Sequence, residues 1–211
     1  MKSLFRSTTP ISSTFGFSRG KPIDRYYMEE FIGKHKEQIH GTVLEVADNY
    51  YSNTFGTGPI KSEIIDVTKN NKNATIIGDL TDIATLPHHT IDCFICTQTL
   101  NFIYDIKSAI EGMHYLLKPG GTLLLTVSGL AHISRYDMDK WGDYWRFTEL
   151  SITKLFSEVF GAENISLEQY GNYLSVTSQM NGLASHELTK GELDCKDKDY
   201  PLIIAVIARK K

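Results

Sequence analysis

The stretch Leu116-Leu-Lys-Pro-Gly-Gly-Thr-Leu-Leu-Leu-Thr126 constrains the fold more than any other. Upstream of it, Ile106, Ala109, Ile110, Met113, Leu116 and Leu117 recur at i, i+3, i+4 and i+7, the stripe of a helix buried along one side over Asp105 to Leu117. Pro119-Gly120-Gly121 then stops the helix and turns the chain into Thr122–Val127, a run with no polar alternation. Such runs suit strands covered on both faces. Thr42–Ala47, Ile64–Val67, Ala74–Gly78 and Ile91–Cys96 read the same way, and Ile165–Gln169 and Pro201–Ala208 supply two more strands. Helix signals fall between them. Asp24 is a candidate N-cap, with Ile23 and Met28 spaced as a hydrophobic staple and Gly41 as the stop. Glu149–Phe160 is a helix with Ile152, Leu155, Phe156, Val159 and Phe160 as its buried stripe, capped by Thr148 and closed by Gly161, and Asn172–Leu188 is a weaker helical segment. Strands alternating with helices predict a doubly wound, mostly parallel seven-stranded α/β sheet with helices on both faces.

The chain has 211 residues, enough for one such domain over 23–211, preceded by a flexible arm over 1–22 that carries Phe5, Phe15 and Phe17. Those rings suit packing on the body or on a second subunit, so a homodimer is one expectation. A net charge of −3 gives no basic surface for nucleic acid. The sequence contains neither an apolar run long enough to span a membrane nor the apolar core of a signal peptide, which predicts a cytoplasmic protein. Its three cysteines do not read as a disulfide framework. Cys93 and Cys96, three apart on a strand, point to opposite faces as core residues, and no His/Cys cluster has metal spacing.

Open α/β sheets bind ligands beyond the carboxyl ends of their strands, and polar residues stand where that rule needs them. Glu45-Val-Ala-Asp48 ends the first strand. Asp66, 21 residues after Glu45, ends the second, where a carboxylate can accept two ribose hydroxyl protons. Gly78-Asp79-Leu80 follows the third strand, either as a plain turn or as an acid and an apolar face for a purine. Thr97-Gln-Thr-Leu-Asn-Phe-Ile103 follows the fourth as a cleft floor or a helix cap. Before the first strand, Arg25 is a candidate partner for a ligand carboxylate, and Tyr26 or Tyr27 a candidate cover. Both tryptophans of the chain fall within Ser128–Thr148, a segment dense in aromatic and hydrogen-bonding side chains that suits a substrate lid.

Taken in order, Val43-Leu-Glu-Val46, Asp66, Gly78-Asp-Leu80, Asp92 with Gln98, and Leu117-Lys-Pro-Gly-Gly-Thr122 resemble the class I S-adenosylmethionine-dependent methyltransferases over roughly residues 23–208. The resemblance implies S-adenosylmethionine as cofactor and S-adenosylhomocysteine as product. It places Glu45, Ala47 and Asp48 at the methionine part, Asp66 at the ribose, Asp79 and Leu80 at the adenine, and Thr97 and Gln98 at the sulfonium side. Arg25 and Tyr26 join this cofactor set. Arg135, Tyr136, Asp137, Trp141, Tyr144, Trp145 and Arg146 are the candidate acceptor contacts, and the lid is similar to those of relatives tied to cell-surface saccharides. The expected reaction is methyl transfer to a hydroxyl of a small, sugar-like molecule, with His132, Asp137 and Asp143 as candidate bases and His132 or Asp143 preferred.

The sequence departs from the family in one place. The turn after the first strand, Val46-Ala-Asp-Asn-Tyr-Tyr-Ser52, has no glycine, and Phe55-Gly-Thr-Gly58 comes too late to replace it. Ala47 is small enough to stand in, and Asn49 tolerates a left-handed turn. Two alternatives stay open: a noncatalytic binding subunit on the same fold, and a nicotinamide-dependent oxidoreductase, which the missing Gly-rich loop disfavours.

Overall fold

A computed structural model describes residues 7–57 and 60–211; Phe5 and Gly58 lie outside them. Seven strands form one sheet: β1 (Gly41–Val46), β2 (Ile60–Asp66), β3 (Ile76–Ile77), β4 (Ile91–Thr97), β5 (Leu117–Ser128), β6 (Ile165–Tyr170) and β7 (Ile203–Arg209). Their order is β3-β2-β1-β4-β5-β7-β6, with β7 antiparallel to both of its neighbours and the rest parallel. This is the Rossmann-like methyltransferase arrangement, doubly wound and mostly parallel.

Helices cover both faces. On one face lie α3 (Ile106–Leu116) and α5 (Glu149–Phe160), which bury the predicted stripes Ala109, Ile110, Met113 and Leu116, and Ile152, Phe156 and Phe160. On the other lies α1 (Ile23–Lys34), with α2 (Tyr50–Phe55), α6 (Tyr173–Met180) and α7 (Lys190–Asp194) packed beside it. Short α4 (Arg135–Lys140) stands in the segment 128–148, the candidate lid. Cys96 and Cys93 belong to the two separate cores, as strand alternation requires. Among the described residues, no helix is long and apolar enough to cross a membrane.

Several boundaries differ from the sequence reading, each for a local reason. Helix α1 begins one residue before Asp24, after Pro22, and Asp24 does not cap it. Instead Gln179 of α6 reaches across, its Oε1 accepting the amides of Ile23 (3.1 Å) and Asp24 (3.4 Å). A cap supplied from another element is invisible to local pattern. The segment 172–188 is helical only to Met180, and α7, with Thr189 as its cap, was not expected. Pro119-Gly120-Gly121 is no free turn but a bulged entry into β5, with Gly120 at φ +82° and the register against β4 shifting between Ile91 and Cys93. Lys118 there pairs with Asp92 at 2.6 Å, and the same Asp92 oxygen accepts the Thr42 amide at 2.8 Å. A Cβ at Gly41 (φ +70°) would lie 2.6 Å from that oxygen, so glycine is required where β1 begins. Asp92 thus ties β1, β4 and β5 together at the end of the sheet opposite the cavity described next.

Candidate active site

Strands β1, β2, β3 and β4 all end at one edge, at Val46, Asp66, Ile77 and Thr97. Beyond that edge lies a cavity of about 830 Å³. Nine of the ten candidate cofactor residues line it: Arg25, Glu45, Ala47, Asp48, Asp66, Asp79, Leu80, Thr97 and Gln98. Tyr26 does not; its hydroxyl donates to Asp194 of α7 at 3.1 Å. Tyr27 is core, donating to the Leu193 carbonyl.

Asp66 and Asp79 are held by the same device. In each, Oδ1 accepts both the amide and the hydroxyl of a threonine two residues on: Thr68 at 2.8 and 3.1 Å, Thr81 at 2.8 and 2.8 Å. The turn fixes the carboxylate and leaves the second oxygen without a partner among the described residues. Leu80 beside Asp79 is buried, and its carbonyl comes so close to α3 that a Cβ at Gly112 would lie 2.0 Å from it.

Glu45 is otherwise employed. Only 2% exposed, it accepts the amides of Tyr51 (2.9 Å) and Ser52 (2.8 Å), satisfying the first turn of α2. Burial raises its pKa above the ordinary glutamate value, opposed by those hydrogen bonds. Arg25 donates to the Tyr51 hydroxyl at 3.1 Å and lies over the Tyr50 and Tyr51 rings. Tyr51 lines the cavity too, and burial pushes its phenol up to about 12.

The glycine-free turn closes through strain. Ala47 adopts φ +69°, in the left-handed region, whereas Asn49 stays at φ −121°. The expected left-handed residue is therefore Ala47 and not Asn49. Asn71 Nδ2 holds the Ala47 carbonyl at 2.7 Å. Gln98, at the end of β4, is the second strained residue at the cavity, at φ +49°. Its amide donates to Thr126 and its Oε1 accepts from the Ser128 hydroxyl at 2.5 Å. Two non-glycine residues with positive φ thus face one ligand space from neighbouring strands.

The lid divides in two. Asp137, Trp141 and Tyr144 line the cavity. Arg135 and Tyr136 do not: Arg135 pairs with Asp139 at the surface, and Tyr136 stands in solvent near Lys140. Trp145 sits outside, its Nε1 donating to the Ile103 carbonyl. Arg146 is the lid's clamp. It binds the Asp143 carboxylate through two nitrogens (2.5 and 2.9 Å) and donates to the carbonyls of Ala131, His132 and Trp145. Asp143 also accepts the Ser134 amide at 3.0 Å; burial pushes its carboxyl up, but the Arg146 guanidinium and then this amide hold it below the usual range. His132 stacks on Phe15 of the N-terminal arm at 3.7 Å, with both ring nitrogens buried and unpartnered among the described residues. Neither His132 nor Asp143 lines the cavity. Tyr51, Tyr104 and Asp105 line it without having been expected there. Asp105 reads as the cap of α3, which it is, and nothing in the local pattern marks the tyrosines.

Residues 40–125 match a methyltransferase domain family. The matched segment spans less than half of the chain. It contains Asp66, Asp79 and the ends of β1 to β4. No curated protein matches the sequence. Among solved structures, an S-adenosylmethionine-dependent methyltransferase from Archaeoglobus fulgidus is similar at TM-score 0.57 and 11% identity, covering 88% of this chain and 94% of that one. One from Mesorhizobium loti is similar at TM-score 0.56 and 15% identity, covering 89% and 98%. A Haemonchus contortus phosphoethanolamine N-methyltransferase, in complex with phosphomonomethylethanolamine and S-adenosylhomocysteine, is similar at TM-score 0.52 and 12% identity, covering 93% of this chain and 59% of that one. At such identities the structures speak for the methyltransferase fold, not for the acceptor.

Proposed function

We propose that the chain transfers a methyl group from S-adenosylmethionine to a hydroxyl of an uncharged, sugar-like small molecule. The observation that carries the acceptor class is the charge of the cavity wall. Glu45, Asp48, Asp66, Asp79, Asp105 and Asp137 line it, against the single guanidinium of Arg25 among the described residues. Such a wall favours a cationic sulfonium and disfavours phosphorylated or carboxylated acceptors. Hydroxyl-rich neutral molecules suit it because carboxylates are acceptors only.

The donor set fits the cofactor. Asp66 offers its free oxygen to the ribose, Asp79 and Leu80 an acceptor and an apolar face to the adenine, and Arg25 its charge to the amino-acid carboxylate. When bound, the cofactor supplies an already activated methyl group. What remains for the chain is alignment, exclusion of water and removal of a proton. Trp141 and Tyr144 wall the acceptor side, and Gln98, anchored to Ser128, sets the floor. Asp137 takes over the role expected of His132 or Asp143, because it is the lid carboxylate that lines the cavity. Its Oδ2 accepts from Ser134 at 2.5 Å, which orients it.

Calorimetry with S-adenosylhomocysteine, followed by a methyl-release assay across neutral polyols, amines and sugar phosphates, tests this reading. Turnover with polyols and none with phosphates is expected. Turnover confined to amines or phosphorylated acceptors would overturn the acceptor assignment, and a folded chain without cofactor binding would overturn the enzyme.

A further inference from the structure

At the cavity mouth the chain exposes aromatic surface that packing does not require. Tyr104 is 71% exposed, Tyr144 49% and Trp145 36%. The rings are grouped: Tyr104 stacks on Trp145 at 6.0 Å and 30°, and meets Tyr144 edge-on at 5.5 Å. They are also held in place. Trp145 Nε1 donates to the Ile103 carbonyl at 3.2 Å, and the amides of Tyr144 and Trp145 both donate to the carbonyl of buried Asn101. Gly142 takes φ +90°, and a Cβ there would lie 2.3 Å from the Tyr144 ring, so the ring rests on bare backbone. A rigid, exposed aromatic ledge joined to a ligand cavity marks a binding surface.

We propose that Tyr104, Tyr144 and Trp145 form a second acceptor subsite, which holds the next ring of a neutral glycoside while its terminal ring occupies the cavity. The inference rests on the hydroxyl-acceptor reading above and deepens it. Pyranose rings present an apolar C–H face that matches an aromatic surface, and a rim of hydroxyls that donate to carboxylates. Asp105 and Asp137 line the cavity together with Tyr104 and Tyr144, so both kinds of group meet at one mouth. Nucleotides and nucleotide sugars also stack on aromatic rings, but the acidic wall opposes their phosphates. Continuity with the cavity favours an extended acceptor over an unrelated protein partner, because two of the three rings belong to both surfaces.

The two tryptophans of the chain, Trp141 and Trp145, lie in the lid, so intrinsic fluorescence reads the subsite directly. The full chain, with and without S-adenosylhomocysteine, is titrated with maltose, cellobiose and lactose and with glucose and galactose. At least one disaccharide is expected to bind about 3- to 10-fold more tightly than its component sugar. Tyr104→Ala should abolish that difference, while Tyr104→Phe keeps it. Parity between disaccharides and monosaccharides, absence of sugar binding, or a Tyr104→Ala chain that discriminates as before would each overturn the subsite. Failure to bind S-adenosylhomocysteine would instead overturn the methyltransferase reading and is scored separately by calorimetry.

Discussion

The two sides of the cavity are built by different means. On the proposed cofactor side, Asp66 and Asp79 stand at the ends of parallel strands, each carboxylate set by a threonine two residues on. On the proposed acceptor side, the candidate lid over 128–148 has one short helix, and its shape depends on side chains: Arg146 on Asp143 and three carbonyls, Asn101 on two of its amides, Phe15 on His132. A sheet edge tolerates change in one residue, because neighbouring strands keep the others in register. A lid organised around one clamp does not. The contrast predicts that substitutions on the cofactor side act locally and that lid substitutions act on the whole acceptor wall.

The largest effect is expected for Arg146→Met. It leaves the Asp143 carboxylate, whose side chain is 1% exposed, without its cation, and frees the carbonyls of Ala131 and His132. Removing one partner of a buried pair costs about 3–5 kcal/mol, and the 27% exposure of Arg146 points to the low end, about 3 kcal/mol. Thermal unfolding should register the loss, and acceptor KM should rise steeply while S-adenosylhomocysteine affinity holds. If cofactor affinity fell as far as acceptor affinity, the division into two independently built halves would be lost.

Asp66→Ala should do the reverse. Hydrogen bonds to a charged group contribute about 1.5–3 kcal/mol, so cofactor affinity should fall roughly 10- to 100-fold. Stability should change little, since among the described residues the Asp66 side chain binds only its own turn. Calorimetry on a chain of unchanged melting temperature checks this; unaltered affinity would remove Asp66 from the ribose.

The same contrast explains what could be read in the sequence. Asp66, Asp79 and Thr97 were legible because strand ends are marked by the end of an apolar run, and parallel strands end together. The α3 and α5 stripes were legible from period alone. What escaped depends on contacts distant in sequence. The cap of α1 comes from Gln179, the shelter of His132 from Phe15, and the burial of Asp143 from its clamp. A lone histidine with a suitable intrinsic pKa and an acid in an aromatic loop look like bases until their neighbours are known. The glycine-free turn was legible as a departure, but which residue absorbs the strain was not. Alanine and asparagine both reach positive φ, and the choice of Ala47 follows from how its peptide is held between Ile65 and Asn71.

His132 offers a smaller, pH-dependent way to sharpen the comparison. Burial, and then the Arg146 guanidinium, hold its pKa below the ordinary 6.5. Below pH 6.5 the unfolded chain therefore binds more protons at this site than the folded one, and the site's contribution to stability is lost as pH falls through that value. His132→Phe should keep the stack on Phe15 and remove this part of the acid sensitivity. Comparing melting temperatures between about pH 8 and about pH 5 gives the test. Equal losses in both chains would mean that acid sensitivity arises elsewhere than the seam between arm and lid.

The smallest expected effect lies on the proposed cofactor side, where the sequence departs from the family it resembles. A left-handed backbone costs a non-glycine residue about 1–2 kcal/mol. Glycine at the same position loses about 0.4–1 kcal/mol through the greater freedom of the unfolded chain. Ala47→Gly should therefore stabilise the protein by about 0.5 kcal/mol, at the edge of what denaturant titration resolves. Ala47→Val should destabilise it by more, since a β-branched side chain crowds a backbone at φ +69°. Cofactor affinity decides what the alanine does. If Ala47→Gly binds S-adenosylhomocysteine as tightly as the natural chain, alanine is a tolerated substitute for glycine. If binding weakens while stability rises, the strained alanine holds the turn in its ligand-ready shape, and the cofactor half depends on a side chain just as the lid does.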